Sequence, residues 1–94
     1  MYALVVTPSA KRSLKKLPRR VREDLIEAVN ILTTNPYVGE KLSGDLHFLY
    51  SFHFKSQNVG YRVAYTINRE KKLITIHFAH TRENFYEKLR QLFR

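Results

Sequence analysis

Apolar residues along this 94-residue chain recur at two spacings, and the changes between them mark the elements. Tyr2 to Val6 is a β-branched, apolar run that predicts an opening strand. It ends at Thr7-Pro8, where a helix start is expected: Thr7 or Ser9 can accept from free backbone N–H groups, and Pro8 suits a first turn. Ala10, Leu14 and Leu17 then fall at i, i+4 and i+7, one helical stripe, before Pro18 interrupts it. From about Pro18 a second helix follows, with Val21, Leu25, Ala28, Val29 and Leu32 in register. It stops before Asn35-Pro36. The spacing predicts a helical hairpin laid on a sheet.

Tyr37 to Asp45 reads as loop. Phe48, Tyr50, Phe52 and Phe54 then alternate with Leu49, Ser51, His53 and Lys55, the period of a strand with one aromatic and one polar face. After a turn over Ser56 to Gly60, Tyr61, Val63, Tyr65 and Ile67 repeat the alternation, which turns Arg62 to the side of His53 and Lys55. A charged turn from Asn68 to Lys72 leads to a last strand, Leu73 to Ala79, with Ile74, Ile76 and Phe78 expected inward and Thr75 and His77 outward. Beyond His80 the period changes again. Phe85, Leu89, Leu92 and Phe93 predict a closing helix, with Asn84 and Glu87 resembling a capping box. The expected fold is α+β, one domain over residues 1–94: an N-terminal strand, a helical hairpin, a three-stranded antiparallel meander and a short C-terminal helix, with the helices on one sheet face.

Composition narrows the function. An apolar fraction of 44% with 13% aromatic residues supports one modest core and excludes a disordered basic tail. The absence of Cys removes disulfides, thiolate catalysis and Cys-ligated metal centres. The opening apolar run is far below the roughly 20 residues of a membrane span and lacks a charged leader, so a soluble cytoplasmic protein without a membrane partner is expected. The 17 Lys and Arg against 8 Asp and Glu give a net charge of +9, which calls for a polyanionic partner.

Part of that charge is concentrated. Lys11, Arg12, Lys15, Lys16, Arg19, Arg20 and Arg22 fall in the first helix and the start of the second, before any acidic residue. Like charges one turn apart repel, so the run suits an external counter-charge, and phosphate is the natural one. A solvated helical face is the plainer explanation. Phosphate contacts would position the protein without doing chemistry.

Chemistry is sought on the polar sheet face. Ser51, His53, Lys55 and Arg62 should cluster there across two strands, joined by His80, Arg82 and Tyr86 from the end of the last strand and the start of the last helix. Metal-free RNA cleavage needs these parts: a group to take the 2′-OH proton, cations for the charge developing on phosphorus, and a proton for the leaving 5′ oxygen. Aromatic rings can also stack an unpaired base. Taken singly, each residue has an ordinary explanation, Arg62 and His53 as surface positions on strands and Tyr86 as a half-buried helix residue; His47 and His77 have weaker claims. Four His without HExxH or His-x-His spacing predict no metal site, and three Gly form no phosphate loop, so no cofactor is expected.

Four segments together carry a family resemblance over essentially the whole length: Thr7-Pro8-Ser9-Ala10 with Leu14-Lys15-Lys16-Leu17, Lys41-Leu42-Ser43-Gly44, Gly60-Tyr61-Arg62-Val63-Ala64-Tyr65, and Ala79-His80-Thr81-Arg82-Glu83-Asn84-Phe85-Tyr86. In these the chain resembles the RelE/ParE superfamily of bacterial toxins from toxin–antitoxin modules. The resemblance implies the family's microbial-RNase-type fold, a small sheet with a starting helical hairpin and a short closing helix. In the RelE branch it implies a ribosome-dependent, metal-independent endoribonuclease that cuts mRNA in the decoding site, with basic helices on ribosomal RNA and a cognate antitoxin that wraps the toxin. It places the family's central arginine on Arg62, the arginine after the last strand on Arg82 and the tyrosine of the last helix on Tyr86. Where the RelE pattern has two alternate lysines, this chain has Ser51 and His53, with Lys55 at a third alternate position. His53 or His80 is then expected to handle a proton, because an imidazole titrates near neutrality, while Lys55, Arg62 and Arg82 stabilise the phosphorane and Tyr86 stacks on or orients the nucleotide. Two alternatives stand beside this: a ParE-like inhibitor of DNA gyrase, and a non-catalytic RNA-binding module.

Overall fold

The computed structural model describes all 94 residues, in the order β1 (Ala3–Val6), α1 (Pro8–Lys15), α2 (Arg19–Val29), β2 (Glu40–Lys41), β3 (Tyr50–Ser56), β4 (Val59–Asn68), β5 (Leu73–Thr81) and α3 (Phe85–Leu92). One five-stranded sheet runs β1-β5-β4-β3-β2; β1 is parallel to β5, and the remaining pairs are antiparallel. The α+β class, the helical hairpin, the meander and the closing helix are as the periodicity predicts.

Local chemistry accounts for the hairpin. The Thr7 side chain accepts from the Ala10 N–H at 3.0 Å, which settles the first cap, with Pro8 in the first turn. Ala10, Leu17, Val21, Leu25, Val29 and Leu32 are buried against Tyr61, Val63, Tyr65, Ile74 and Ile76 of the sheet. Tyr50 stacks on Tyr65 and Phe54 on Tyr61, at centroid distances of 5.5 and 5.4 Å. The β3–β4 turn places Gln57 and Asn58 both at positive φ, a two-residue geometry that matches strand twist. Ser56 donates to Asp24 at 2.5 Å and ties that end of β3 to α2.

Several expectations are corrected. The segment read as loop contains β2, whose Glu40 and Lys41 pair with Ser51 and Tyr50; two residues are too few to show a period. The strand read from Phe48 begins at Tyr50, with Phe48 exposed and Leu49 fully buried. In β5, Tyr65 pairs with Ile76 and Ala64 with Phe78, so His77 is an extra residue in a β-bulge. The bulge moves Phe78 to the opposite face from Ile74 and Ile76. Finally, the helices do not share one face: α3 packs on the other, where Phe85 and Leu89 are buried with Leu46, Leu49 and Ala64, beside Phe78. Of the C-terminal stripe, Leu92 and Phe93 are exposed, and no capping box forms, since Asn84 adopts the left-handed conformation with no side-chain cap. No helix is long and apolar enough to cross a membrane.

Candidate active site

The bulge and α3 between them decide what the second sheet face displays. In register across three strands, His53 of β3 lies opposite Arg62 of β4, and Arg62 opposite His80 of β5. Backbone atoms of neighbouring strands are about 4.8 Å apart, so period-2 geometry brings these side chains to one surface. α3 covers only part of that face, and its first turn brings Tyr86 to the edge of the uncovered part.

Arg62 is the centre of the group. Its Nη1 donates to the Tyr86 hydroxyl at 2.7 Å and lies 2.6 Å from His53 Nε2, and its Cζ sits 5.3 Å from the Tyr86 ring centroid. A guanidinium is only ever a donor, so His53 Nε2 must accept, which makes the imidazole neutral with its proton on Nδ1. The electrostatics agree. Burial holds the His53 pKa below its ordinary value, helped by the Arg62 charge and more weakly by Arg82, while Glu40 acts the other way. The Glu40 carboxylate is 3.9 Å from Nε2, at the margin of an ion pair.

Beside this triad is an open depression of about 410 Å³, lined by His53, Lys55, Arg62 and Arg82 with Phe54, Gly60 and Tyr61. Three cations and one neutral imidazole face it, with no carboxylate in its lining. Arg82 is held there by its backbone N–H, which donates to Gly60 C=O at 2.9 Å across to β4. The depression can hold a tetrahedral anion, orient it by the guanidinium forks, and offer a proton acceptor next to it.

His53, Lys55, Arg62, Arg82 and Tyr86 are thus brought together. His80 is not in the lining of the depression: its ring stacks on Phe78 at 5.7 Å, its Nδ1 lies 3.1 Å from the Thr81 carbonyl, and it lines a separate recess with residues of α1 and α3. Ser51 shares the face but is fully buried with no hydrogen-bond partner for its hydroxyl. His47 is exposed beside the Gly44 carbonyl, and His77 is held in the bulge by Thr66 at 2.9 Å.

The basic run divides. Arg19 and Arg20 pair with Glu23 and Asp24 one turn on, and Arg22 donates to the Leu17 carbonyl at 2.8 Å. Lys11, Arg12, Lys15 and Lys16 are exposed on α1 with no carboxylate partner, Arg12 bonding only to Ser9. Glu40 is the member of the site that sequence reasoning missed, because it lies on β2. Its placement follows from Tyr65, whose hydroxyl donates to Pro36 C=O at 2.7 Å and accepts from Gly39 N–H at 3.2 Å. A Cβ at Gly39 would lie 2.6 Å from that hydroxyl, so only Gly fits; burial pushes the Tyr65 pKa up to about 12.

Comparison with known proteins gives these features a setting. A family model described as the ParE-like toxin of type II bacterial toxin–antitoxin systems matches residues 4–90. A chain of the toxin–antitoxin complex RelBE2 from Mycobacterium tuberculosis is similar at 29% identity and TM-score 0.77, over 86% of this chain and 98% of that one. A chain of the intact RelBE complex of E. coli is similar at 23% identity and TM-score 0.71, covering 88% and 99%. The archaeal RelE–RelB complex of Pyrococcus horikoshii gives 22% identity and TM-score 0.61, covering 87% and 96%. No curated protein sequence matches the chain.

Proposed function

The chain belongs to the ParE-like toxins of type II bacterial toxin–antitoxin systems, and on that premise we propose that it is a RelE-type, ribosome-dependent endoribonuclease that cuts mRNA in the decoding site without a metal. The observation that carries this reading is the Arg62 guanidinium bound at once to His53 Nε2 and the Tyr86 hydroxyl at the edge of a cation-lined depression. A protein that only blocks gyrase has no need of a neutral imidazole held beside three phosphate-binding cations.

The geometry supports the following reaction. The scissile phosphate enters the depression and takes hydrogen bonds from Arg62, Arg82 and Lys55. As Arg62 turns to the phosphate it releases His53 Nε2, which accepts the proton of the 2′-OH. The 2′ oxygen bonds to phosphorus, the P–O5′ bond breaks, and the proton returns to the 5′ oxygen directly or through water. The products are a 2′,3′-cyclic phosphate and a 5′-OH end, and the cations stabilise the pentavalent transition state more than the ground state. Tyr86 holds Arg62 and offers the outer face of its ring to the adjacent nucleotide. Lys11, Arg12 and Lys15 dock on ribosomal RNA. A cognate antitoxin is the expected protein partner, since the similar chains of RelBE2 and RelBE were solved as toxin–antitoxin complexes.

The test is cleavage of mRNA on purified ribosomes by wild type, Arg62→Ala and Arg82→Ala. Each alanine variant is expected to lose about 10²-fold or more in rate, with cuts confined to ribosome-covered positions. Intact cleavage by both variants removes the site assignment. The family model's ParE-like description favours a second reading, gyrase inhibition. Gyrase-linked DNA breaks without RNA ends on induction would establish it in place of the first.

A further inference from the structure

The position of His80 points to a second site. β1 pairs only with Leu73–Ile76, so the C-terminal half of β5 is a free edge. Ser13 of α1 closes part of that edge, its hydroxyl accepting from the Ala79 N–H at 3.2 Å and donating to Ala10 C=O at 2.8 Å. Between α1 and α3 this leaves a recess of about 290 Å³, with Phe78 and Leu17 in its wall and Lys16, Lys88, His80 and Thr81 around it. Lys16 and Lys88 are exposed, and no carboxylate pairs with either of them. The His80 ring is fixed by its stack on Phe78 and by Nδ1 at the Thr81 carbonyl, which leaves Nε2 aimed at no protein group.

We propose that this recess is a second phosphate site, in which Lys16 and Lys88, beside the His80 ring, hold the RNA backbone phosphate next to the one at Arg62 and Arg82. The proposal rests on the RNA-cleaving reading and adds the path of the strand. His80 is the register partner of Arg62, one strand nearer the free edge, so the recess at that edge lies on the far side of β5 from the arginine. A phosphodiester chain crossing from β4 to β5 presents one charge per nucleotide to the two cation groups in turn. The Phe78–His80 stack gives an aromatic surface for a base beside the cations. An acidic peptide would use the lysines but not that surface.

The experiment titrates a short single-stranded RNA of about twelve nucleotides by fluorescence anisotropy at several salt concentrations. Wild type is compared with Lys16→Gln/Lys88→Gln and with Lys71→Gln/Lys72→Gln, which removes equal charge at the opposite end of β5. The first pair is expected to weaken binding about tenfold or more and to reduce the slope of log affinity against log salt by about 0.7, the value of one lost phosphate contact. The second pair should leave the slope near wild type. Equal effects of the two pairs, an unchanged slope for Lys16→Gln/Lys88→Gln, or no RNA binding by wild type at low salt each overturns the proposal. So does a loss confined to a Glu-rich peptide titrated in parallel. Cleavage on ribosomes is scored separately: a selective slope change without wild-type cleavage supports the phosphate site and removes the nuclease reading, and cleavage with an unchanged slope does the reverse.

Discussion

The two faces of the sheet are built to different standards. The hairpin face joins twelve buried residues into one cluster, closed by two helices whose stripes match the strand alternation opposite them. The α3 face buries five, under one terminal helix of eight residues, and it depends on a bulge to turn Phe78 toward that helix. The contrast teaches where function can be placed. Complete burial leaves no room for charged groups, because each would need a partner inside; a half-covered face keeps Arg62 and His53 partly solvated, close to apolar walls that sharpen their interactions.

The largest expected difference between the faces is in stability. Leu32 and Leu89 are both fully buried, one in each cluster. Leu32→Ala is expected to lower global stability by about 4 kcal/mol, within the range for a core leucine in a tightly packed site. Leu89→Ala should cost about 2 kcal/mol, felt first as opening of α3, because a short terminal helix can detach and its cavity can collapse. Denaturant melts with amide exchange check both. Equal losses spread over the whole sheet would mean that the faces unfold as one unit.

Next in size is the link from α3 to the site. Tyr86→Phe keeps the ring over Arg62 but removes the hydroxyl that accepts from it. Cleavage on ribosomes should fall about tenfold, the value of one hydrogen bond to a charged group, with the melting temperature nearly unchanged. A loss of stability with full activity would make Tyr86 part of the packing and not of the site.

Acid should separate the faces further. Burial holds the His77 pKa below its ordinary value, and His53 is held down as well. A depressed imidazole binds fewer protons folded than unfolded, so stability is complete above the unfolded pKa of about 6.5 and declines as pH falls below it. Both groups lie on the α3 side of the sheet, His77 against Phe93 and His53 against Arg62. Melting temperature followed from pH 7.5 to pH 5 should therefore fall in wild type, and less in His77→Gln. A flat wild-type profile would contradict the account.

How much of this was legible in the sequence follows from period. The α1 start at Thr7-Pro8, the α2 stripe, and the alternation that aims His53, Lys55 and Arg62 to one side each repeat often enough to be read. β2 is two residues long, and the shift at His77 is a property of two strands in register, invisible in the alternation of one. Without the bulge Phe78 reads as inward, α3 has no apolar floor, and the second face looks open. Glu40 and the true position of His80 were missed for the same reasons. Tyr86 is legible from its place at the start of the last helix and from the family resemblance, yet its contact with Arg62 depends on how α3 docks.

Ser51 gives the finest test of the comparison. By alternation it belongs with His53 and Lys55, and its β3 neighbours on that face are solvent-accessible; instead it is 1% exposed, between the register partners Glu40 and Ala64. Its hydroxyl has no protein partner. A buried hydroxyl without a hydrogen bond costs about 1–3 kcal/mol in lost hydration, while Ser51→Ala deletes a single heavy atom and opens little cavity. The variant is therefore expected to be more stable by up to about 1 kcal/mol, with ribosome-dependent cleavage unchanged, since Ser51 does not line the depression. If Ser51→Ala loses both stability and activity, the hydroxyl is satisfied from the site side, and the boundary between the closed part of this face and its reactive part lies one residue nearer Leu49.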